Sequence, residues 1–359
     1  MFVSILIFLA IFSVIVISHE FGHFAVARRN GICVREFDIG MGPLLYRKKG
    51  KETDFCIRLL PIGGACIFDG ADPVLPGDGS EKAEEAGAPG KHSFSGAPIG
   101  ARIAAVLAGP MANILLGFIL SCVVVAFSGA DLPVVQEVIE GSAAMEAGIE
   151  KGDVIRKING ESIHINREAV IISIMNYGEP LLVTVERDGE KKTMTVIPRY
   201  DKEDSMYYIG LKGSGKSIRC SPLQVFQYGF YDTLCWLKLT YKSIGLIFRG
   251  HFTKDDIAGP VGIVKDIDDT YKETAPYGPG VVILAFLTLT SLLAVNLGVV
   301  NLLPIPALDG GTLLFFFLEA IRGRPIPPEK EGMIHLAGFI ALMMLMLFVL
   351  FNDIARVFI

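Results

Sequence analysis

A pentapeptide, His19-Glu20-Phe21-Gly22-His23, follows directly on an apolar run from Phe2 to Ile17 that only Ser4 and Ser13 interrupt. No other feature restricts the possible folds so strongly. Continued as a helix to Ala27, the run reaches roughly 40 Å at about 1.5 Å per residue, enough to cross a hydrocarbon core of about 30 Å. His19 then lies roughly 25 Å from the start, still within the apolar slab, where ionisable groups are expensive and usually functional. Helical residues four apart share a face, so His19 and His23 can offer two imidazoles to one metal, with Glu20 beside them as a general base.

Three plainer readings compete with this one. A removable signal peptide needs a basic start and a small-residue cleavage site, whereas Met1-Phe2-Val3-Ser4 carries no positive side chain and the run ends in His-Glu. The pentapeptide also arises by chance on soluble helices. A structural histidine pair satisfied by its neighbours is the third.

With 359 residues and 51% hydrophobic content, the chain is too long for one small domain and too apolar for an ordinary soluble protein. It reads as a polytopic α-helical membrane protein. A net charge of -5 gives no nucleic-acid footprint. The six cysteines lack CxxC spacing, which indicates neither a cysteine metal site nor a disulfide framework.

Four segments are long enough to span, with domain limits expected at 1–27, 98–128, 281–311 and 333–357. Arg28, Arg29, Arg35, Arg47, Lys48, Lys49, Lys51 and Arg58 follow the first span and nothing basic precedes it, so the positive-inside rule puts the N-terminus outside. Arg322, Arg324 and Lys330 agree, and the long stretch between the second and third spans becomes extracytoplasmic. The first and third spans then run in the same direction. His19 and His23 near the end of one, and Asp309 just after the other, fall at one depth, which makes Asp309 a sensible third ligand. Catalytic zinc takes three protein ligands and keeps a position for water. It lowers the pKa of that water towards about 7, and Glu20 can take the proton and hand it to a leaving amine.

The segment 28–97 is expected on the cytoplasmic side. Arg35 to Tyr46 and Thr53 to Leu60 look extended around a turn at Lys48 to Glu52, and Leu59 to Phe68 is apolar but too short to cross. It fits a membrane-associated re-entrant hairpin or, alternatively, a surface strand pair. Gly70 to Gly90 reads as a flexible loop. Residues 129–213 show strands at Val134 to Val138, Asp153 to Ile158, Leu181 to Glu186 and Lys192 to Ile197, with hairpin signals Asn159-Gly160 and Asp188-Gly189. This makes a compact domain of roughly 80 residues. Residues 214–280 mix aromatics with Lys and Arg and suit an interfacial amphipathic helix; a fifth crossing is the alternative. His92, His164, His251 and His335 have no partner at ligand spacing and read as surface or interface histidines.

The pattern from Glu140-Gly141-Ser142 through Gly152-Asp153-Val154-Ile155 to Asn159-Gly160 resembles a PDZ domain in bacterial, circularly permuted order. Tyr208-Ile209-Gly210-Leu211 resembles its carboxylate-binding loop, which implies that Ile209, Gly210 and Leu211 contact a peptide C-terminus. Three further stretches are similar to the signatures of site-2 proteases, and most of all to the bacterial RseP-type intramembrane zinc metalloproteases. They are the His19 to His23 pentapeptide, Ala108-Gly109-Pro110-Met111-Ala112-Asn113, and Asn301-Leu302-Leu303-Pro304-Ile305-Pro306-Ala307-Leu308-Asp309-Gly310-Gly311. That resemblance covers nearly the whole chain and implies one Zn2+ per chain held by His19, His23 and Asp309, with Glu20 catalytic. It also implies substrate contacts at Asn301 and at the Gly63-Gly64 strand. Met41 and the Ala65-Cys66 pair depart from the usual family residues at the substrate-contact segments.

These motifs make physical sense for a protease of buried helices. Unwinding a substrate helix in lipid strands polar backbone groups at several kcal/mol each, so roughly matched replacements are needed. An extended edge near Gly63 and Gly64 can pair with unwound substrate, and Pro304 and Pro306 break the third span and free carbonyls beside Asp309. Asn301 can clamp substrate backbone or stabilise an oxyanion, or else bond between helices. Asn113 has interhelical bonding as its simplest role.

The expected function is intramembrane cleavage of single-span membrane proteins, previously cut by another protease, near the cytoplasmic face of a bacterial inner membrane. The resemblance implies anti-sigma factors and signal-peptide remnants as substrates, with the lipid bilayer as setting and no nucleic-acid partner. The alternative is a catalytically silent PDZ membrane adaptor, which has no reason to keep all of these groups. A zinc-dependent channel or transporter is disfavoured by the lack of repeats.

Overall fold

The structure, a computed structural model, describes residues 2–70, 93–201, 206–212, 216–248, 250 and 259–358. The loop expected from Gly70 to Gly90 falls outside these from residue 71 onward, as do His92 and His251. In chain order the elements begin with α1 (Phe2–Arg29), β1 (Val34–Lys48), β2 (Asp54–Phe68), α2 (Ile99–Ser128), β3 (Ala130–Leu132), β4 (Glu137–Val138) and α3 (Ala143–Glu146). Next come β5 (Val154–Ile158), β6 (Glu161–Ser162), α4 (Asn166–Ile174), β7 (Leu181–Arg187), β8 (Glu190–Val196), β9 (Arg199–Asp201), β10 (Met206–Tyr208), β11 (Leu211–Lys212) and β12 (Lys216–Ile218). The chain closes with α5 (Pro222–Phe248), α6 (Pro260–Thr274), α7 (Pro279–Asn301), α8 (Asp309–Arg322) and α9 (Pro328–Phe358). These fall into two compact units, Met1–Gly117 with Gly250–Ile359, and Phe118–Arg249.

Among the described residues four helices are long and apolar enough to cross a membrane: Val3–Arg29, Ile99–Ser128, Pro279–Asn301 and Glu329–Ala355. They match the four expected spans, and the chain is a multi-pass membrane protein. Large apolar side chains face outward along α9, including Phe339, Met343, Met344, Leu347 and Phe348, as lipid contact requires. The third span is shorter than the sequence indicated. α7 stops at Asn301 and residues 302–308 are non-helical, because Pro304 and Pro306 supply no amide hydrogen. Asp309 therefore opens a separate helix. The amphipathic stretch expected after the β-rich domain contains two helices, α5 and α6.

In the first unit, α1 packs on α7 and α6 through Phe8, Ile11, Ile15, Ala294 and Ile267. β1 and β2 form one sheet with repeated register shifts, because β2 doubles back. Glu36 faces both Ile67 and Asp54, and Ile39 faces both Gly64 and Ile57, so Glu36 to Ile39 lie between two stretches of β2. The turn falls at Gly63, whose φ of +85° suits glycine. Met41, Leu44, Leu45, Ile57, Leu59 and Leu60 are exposed, which gives this hairpin an apolar surface fit for the membrane. Asp353 of α9 accepts from the Gly259 and Gly262 amides, at 3.1 and 2.8 Å, and so caps α6 from outside.

In the second unit, a sheet of order β6-β5-β7-β8 carries the core. Leu181, Val183 and Val185 are buried while Leu182 between them is exposed, the period-two pattern of a half-buried strand. They pack with Val135, Ala144, Ile149, Ile155, Ile158, Val196 and Ile209. Asp188 and Gly189 turn the β7–β8 hairpin with φ of +53° and +84°, as the Asp-Gly signal predicts. The polar side of α5 is tied to this domain: Asp232 pairs with Arg167 and accepts from Ser121, and Lys238 reaches Glu168 at 3.0 Å.

Candidate metal centre

α1 brings His19 and His23 onto one face, with their Nε2 atoms 3.1 Å apart. The opening residue of α8 meets both: Asp309 Oδ2 lies 3.2 Å from His19 Nε2 and 3.5 Å from His23 Nε2. The proton on His23 can be placed. Its Nδ1 lies 2.9 Å from the Ala105 carbonyl oxygen, which can only accept, so Nδ1 carries the hydrogen and Nε2 presents a lone pair. Three donor atoms thus converge, and they are the ligand types of a catalytic zinc site.

The spacing supports a metal. Ligand atoms about 2.0–2.2 Å from a tetrahedral ion are separated from one another by about 3.3–3.6 Å. Asp309 Oδ2 and His19 Nδ1 are buried without a hydrogen-bond partner among the described residues, which a buried polar atom does not tolerate without compensation. A cation between the three donors supplies that compensation for the carboxylate. The residues fit the group that the motif implies.

Close approach of α1 and α2 makes this possible, and two glycines permit it. A Cβ on Gly22 would fall on the Ala108 carbonyl, and one on Gly109 would fall on the His23 ring. α8 is held in turn by the Arg102–Glu319 ion pair to α2 and by Leu313 and Phe316 packed on Val106. Its first turn folds onto the preceding loop, with Gly310 and Gly311 facing the carbonyls of Leu303 and Ile305 at distances that exclude a side chain.

Glu20 lies on α1 beside the histidines, and the Cys66 backbone N–H of β2 reaches its carboxylate. Gly64 sits against the same residue: a Cβ there would be 3.0 Å from Glu20 Cγ and 2.9 Å from the Asp38 carbonyl oxygen. The stretch 64–67 pairs on one side with Glu36 to Ile39, and among the described residues no further strand pairs with it. Gly63 is one residue further from the helix and meets the Met41 side chain.

The remaining expected site residues belong to other elements. Asn301 is the half-buried last residue of α7, and Pro304 and Pro306 sit in the loop before Asp309. Asn113 of α2 is fully buried, and neither amide atom has a partner among the described residues, so the interhelical bond that was its simplest role is not made. Ile209, Gly210 and Leu211 belong to the other unit. There the Ile209 and Gly210 carbonyls accept from the Ala144 and Ile139 amides, and Leu211 pairs with Val138.

Sequence reasoning passed over Gly22, Gly109 and His335. The glycines stood inside motifs already noted, but their role depends on which helix packs where. His335, read as a surface or interface histidine, is buried and accepts the Ala307 N–H at 3.0 Å.

Comparison with known proteins agrees with this geometry. Residues 7–345 match peptidase family M50. The chain is 33% identical to the zinc metalloprotease RasP of Geobacillus kaustophilus over 423 aligned positions, covering 99% of this chain and 98% of that protein. It is 34% identical to RasP of Bacillus licheniformis, covering 99% of each. Against the regulator of sigma-W protease RasP of Bacillus subtilis it is 33% identical over the full length of both. The chain belongs to peptidase family M50 and is an intramembrane zinc metalloprotease that acts on membrane substrates.

Proposed function

We propose that His19, His23 and Asp309 hold one Zn2+ and that Glu20 is the general base and acid of peptide-bond hydrolysis. The observation that carries this reading is the convergence of three donor atoms within 4.8 Å of one another, with Glu20 alongside on the same helix. When bound, the ion would supply Lewis-acid chemistry to the scissile carbonyl and to a water molecule. The Glu20 carboxylate accepts the proton of that water and later delivers it to the leaving nitrogen. The Cys66 backbone N–H lies beside the Glu20 carboxylate and can help to hold it.

Substrate enters as a single membrane-spanning helix and unwinds against the open edge at Gly63 and Gly64. The backbone of the unwound segment regains hydrogen bonds there by strand addition. Asn301 donates and accepts beside it, and the carbonyls freed by Pro304 and Pro306 lie next to Asp309.

The substrates are single-span proteins already shortened by another protease, with anti-sigma factors and signal-peptide remnants the class that the resemblance favours. Charge distribution supports a bacterial inner-membrane setting with the site towards the cytoplasm. The β-rich domain at 129–213 is the extracytoplasmic PDZ domain. It excludes uncut substrates by size, or senses a new C-terminus through Ile209, Gly210 and Leu211.

Purified protein tests the reading directly. Wild type cleaves a reporter transmembrane peptide and Glu20→Gln does not; equal cleavage by both, or none by zinc-loaded wild type, overturns it.

A further inference from the structure

Ala307 stands two residues before Asp309 and has a φ of +74°. In that left-handed region the Cβ of a non-glycine residue crowds its own backbone, so the conformation persists only where the surroundings enforce it. Neighbouring amides do not supply the enforcement. Between residues 304 and 308, Pro304 and Pro306 have no amide hydrogen, Ile305 N donates to the Leu303 carbonyl, and Leu308 N donates to the Ile305 carbonyl. Ala307 N is the remaining donor, and its partner comes from another helix: His335 Nδ1 of α9, at 3.0 Å.

That imidazole is well fixed. Its side chain is 6% exposed, and the Phe315 ring of α8 meets it edge-on with centroids 5.2 Å apart. A backbone N–H can only donate, so Nδ1 must be the acceptor and the ring hydrogen resides on Nε2. Nε2 faces Glu331 Oε1, one helical turn earlier, at 4.0 Å. One turn in the other direction, Gly338 gives room for the neighbouring loop residue, since a Cβ there would fall on Pro306 Cβ and crowd its carbonyl. His335 and Gly338 together form a seat on α9 for Pro306 and Ala307.

We infer that His335 is a positioning residue of the metal centre: by accepting the Ala307 N–H it fixes the loop that presents Asp309 to His19 and His23. The inference rests on Asp309 being a zinc ligand, as proposed above. α9 thereby acts on the site without touching the metal. Without this acceptor, Ala307 loses the restraint that opposes its strain, and the carboxylate two residues on loses its aim. Groups that orient a metal ligand typically account for about 10- to 100-fold in metal affinity.

The test is zinc retention by the full-length protein in lipid nanodiscs, titrated with a chelator, for wild type, His335→Leu, His335→Asn, Gly338→Ala and Asp309→Ala. The asparagine oxygen can replace Nδ1 as acceptor, whereas leucine cannot. His335→Leu is expected to release zinc about 10- to 100-fold more readily, with His335→Asn close to wild type. The visible absorption of Co2+-loaded protein should be altered in His335→Leu and restored in His335→Asn. Gly338→Ala keeps the imidazole but displaces Pro306 and should weaken retention too, a check that holds if His335→Leu folds poorly. Wild-type retention by His335→Leu overturns the inference, and so does equal loss in the leucine and asparagine variants. If Asp309→Ala retains zinc like wild type, the ligand assignment itself fails and the inference falls with it; loss in Asp309→Ala alone removes only the inference.

Discussion

Gly109 lies so close to His23 that a Cβ there would fall on the imidazole's Nε2, Cε1 and Cδ2 atoms. The histidine is held from its other side by the Ala105 carbonyl, one helical turn earlier on α2. Gly109→Ala must therefore move either the ring or the helix. Zinc retention should fall on the order of 10- to 100-fold, read as the chelator concentration needed for release. The proteolytic rate should fall with it.

Gly64 tests a different part of the site. The Cβ of a valine here would press on Glu20 and on the Asp38 carbonyl, and none of the three donor atoms is among its nearest neighbours. Gly64→Val should retain one zinc per chain while cleavage drops about 10²-fold or more, the usual scale for a displaced acid–base group. Metal analysis and peptide cleavage on one preparation separate the two effects.

Much of this centre was legible in the sequence, for definable reasons. His19, Glu20 and His23 follow from helical spacing inside an apolar run, a local property. Asp309 followed from depth, because two spans running in the same direction bring their ends to one level. Pro304 and Pro306 announced the break before it. What stayed hidden was non-local. Nothing in the chain marks Gly109 as the neighbour of His23, or His335 as the acceptor for Ala307, since both depend on which helix faces which. The register of β2 was also hidden: a re-entrant hairpin is one reading of Leu59 to Phe68, but its apolar residues have no alternation that fixes which residues pair.

α6 depends on a remote cap. Asp353 is buried and accepts from the Gly259 and Gly262 amides, so Asp353→Ala leaves two N–H groups at a helix start without a partner. The loss should be about 1–2 kcal/mol, seen as a lower unfolding midpoint in detergent. Asp353→Asn should recover only part of it, because its single amide oxygen can accept one of the two N–H groups that the two carboxylate oxygens accept.

The β-rich domain should lose stability in acid. Burial raises the Asp153 carboxyl, but hydrogen bonds from Arg187 outweigh it and hold the group below its ordinary range. In the unfolded chain the carboxyl titrates at about pH 4, so below that pH the unfolded state binds the proton more readily. Stability is complete above about pH 4 and declines as pH falls through the lower folded value. Amide exchange at Leu181, Val183 and Val185 in the full chain should quicken over this window, and Asp153→Asn should flatten the dependence.

The most direct measurement is zinc content and reporter cleavage on the same nanodisc preparations of wild type, Glu20→Gln and Asp309→Ala. The geometry predicts one zinc and cleavage in wild type, one zinc without cleavage in Glu20→Gln, and neither in Asp309→Ala. Full zinc in Asp309→Ala, or wild-type cleavage by Glu20→Gln, would contradict the assignment of the centre.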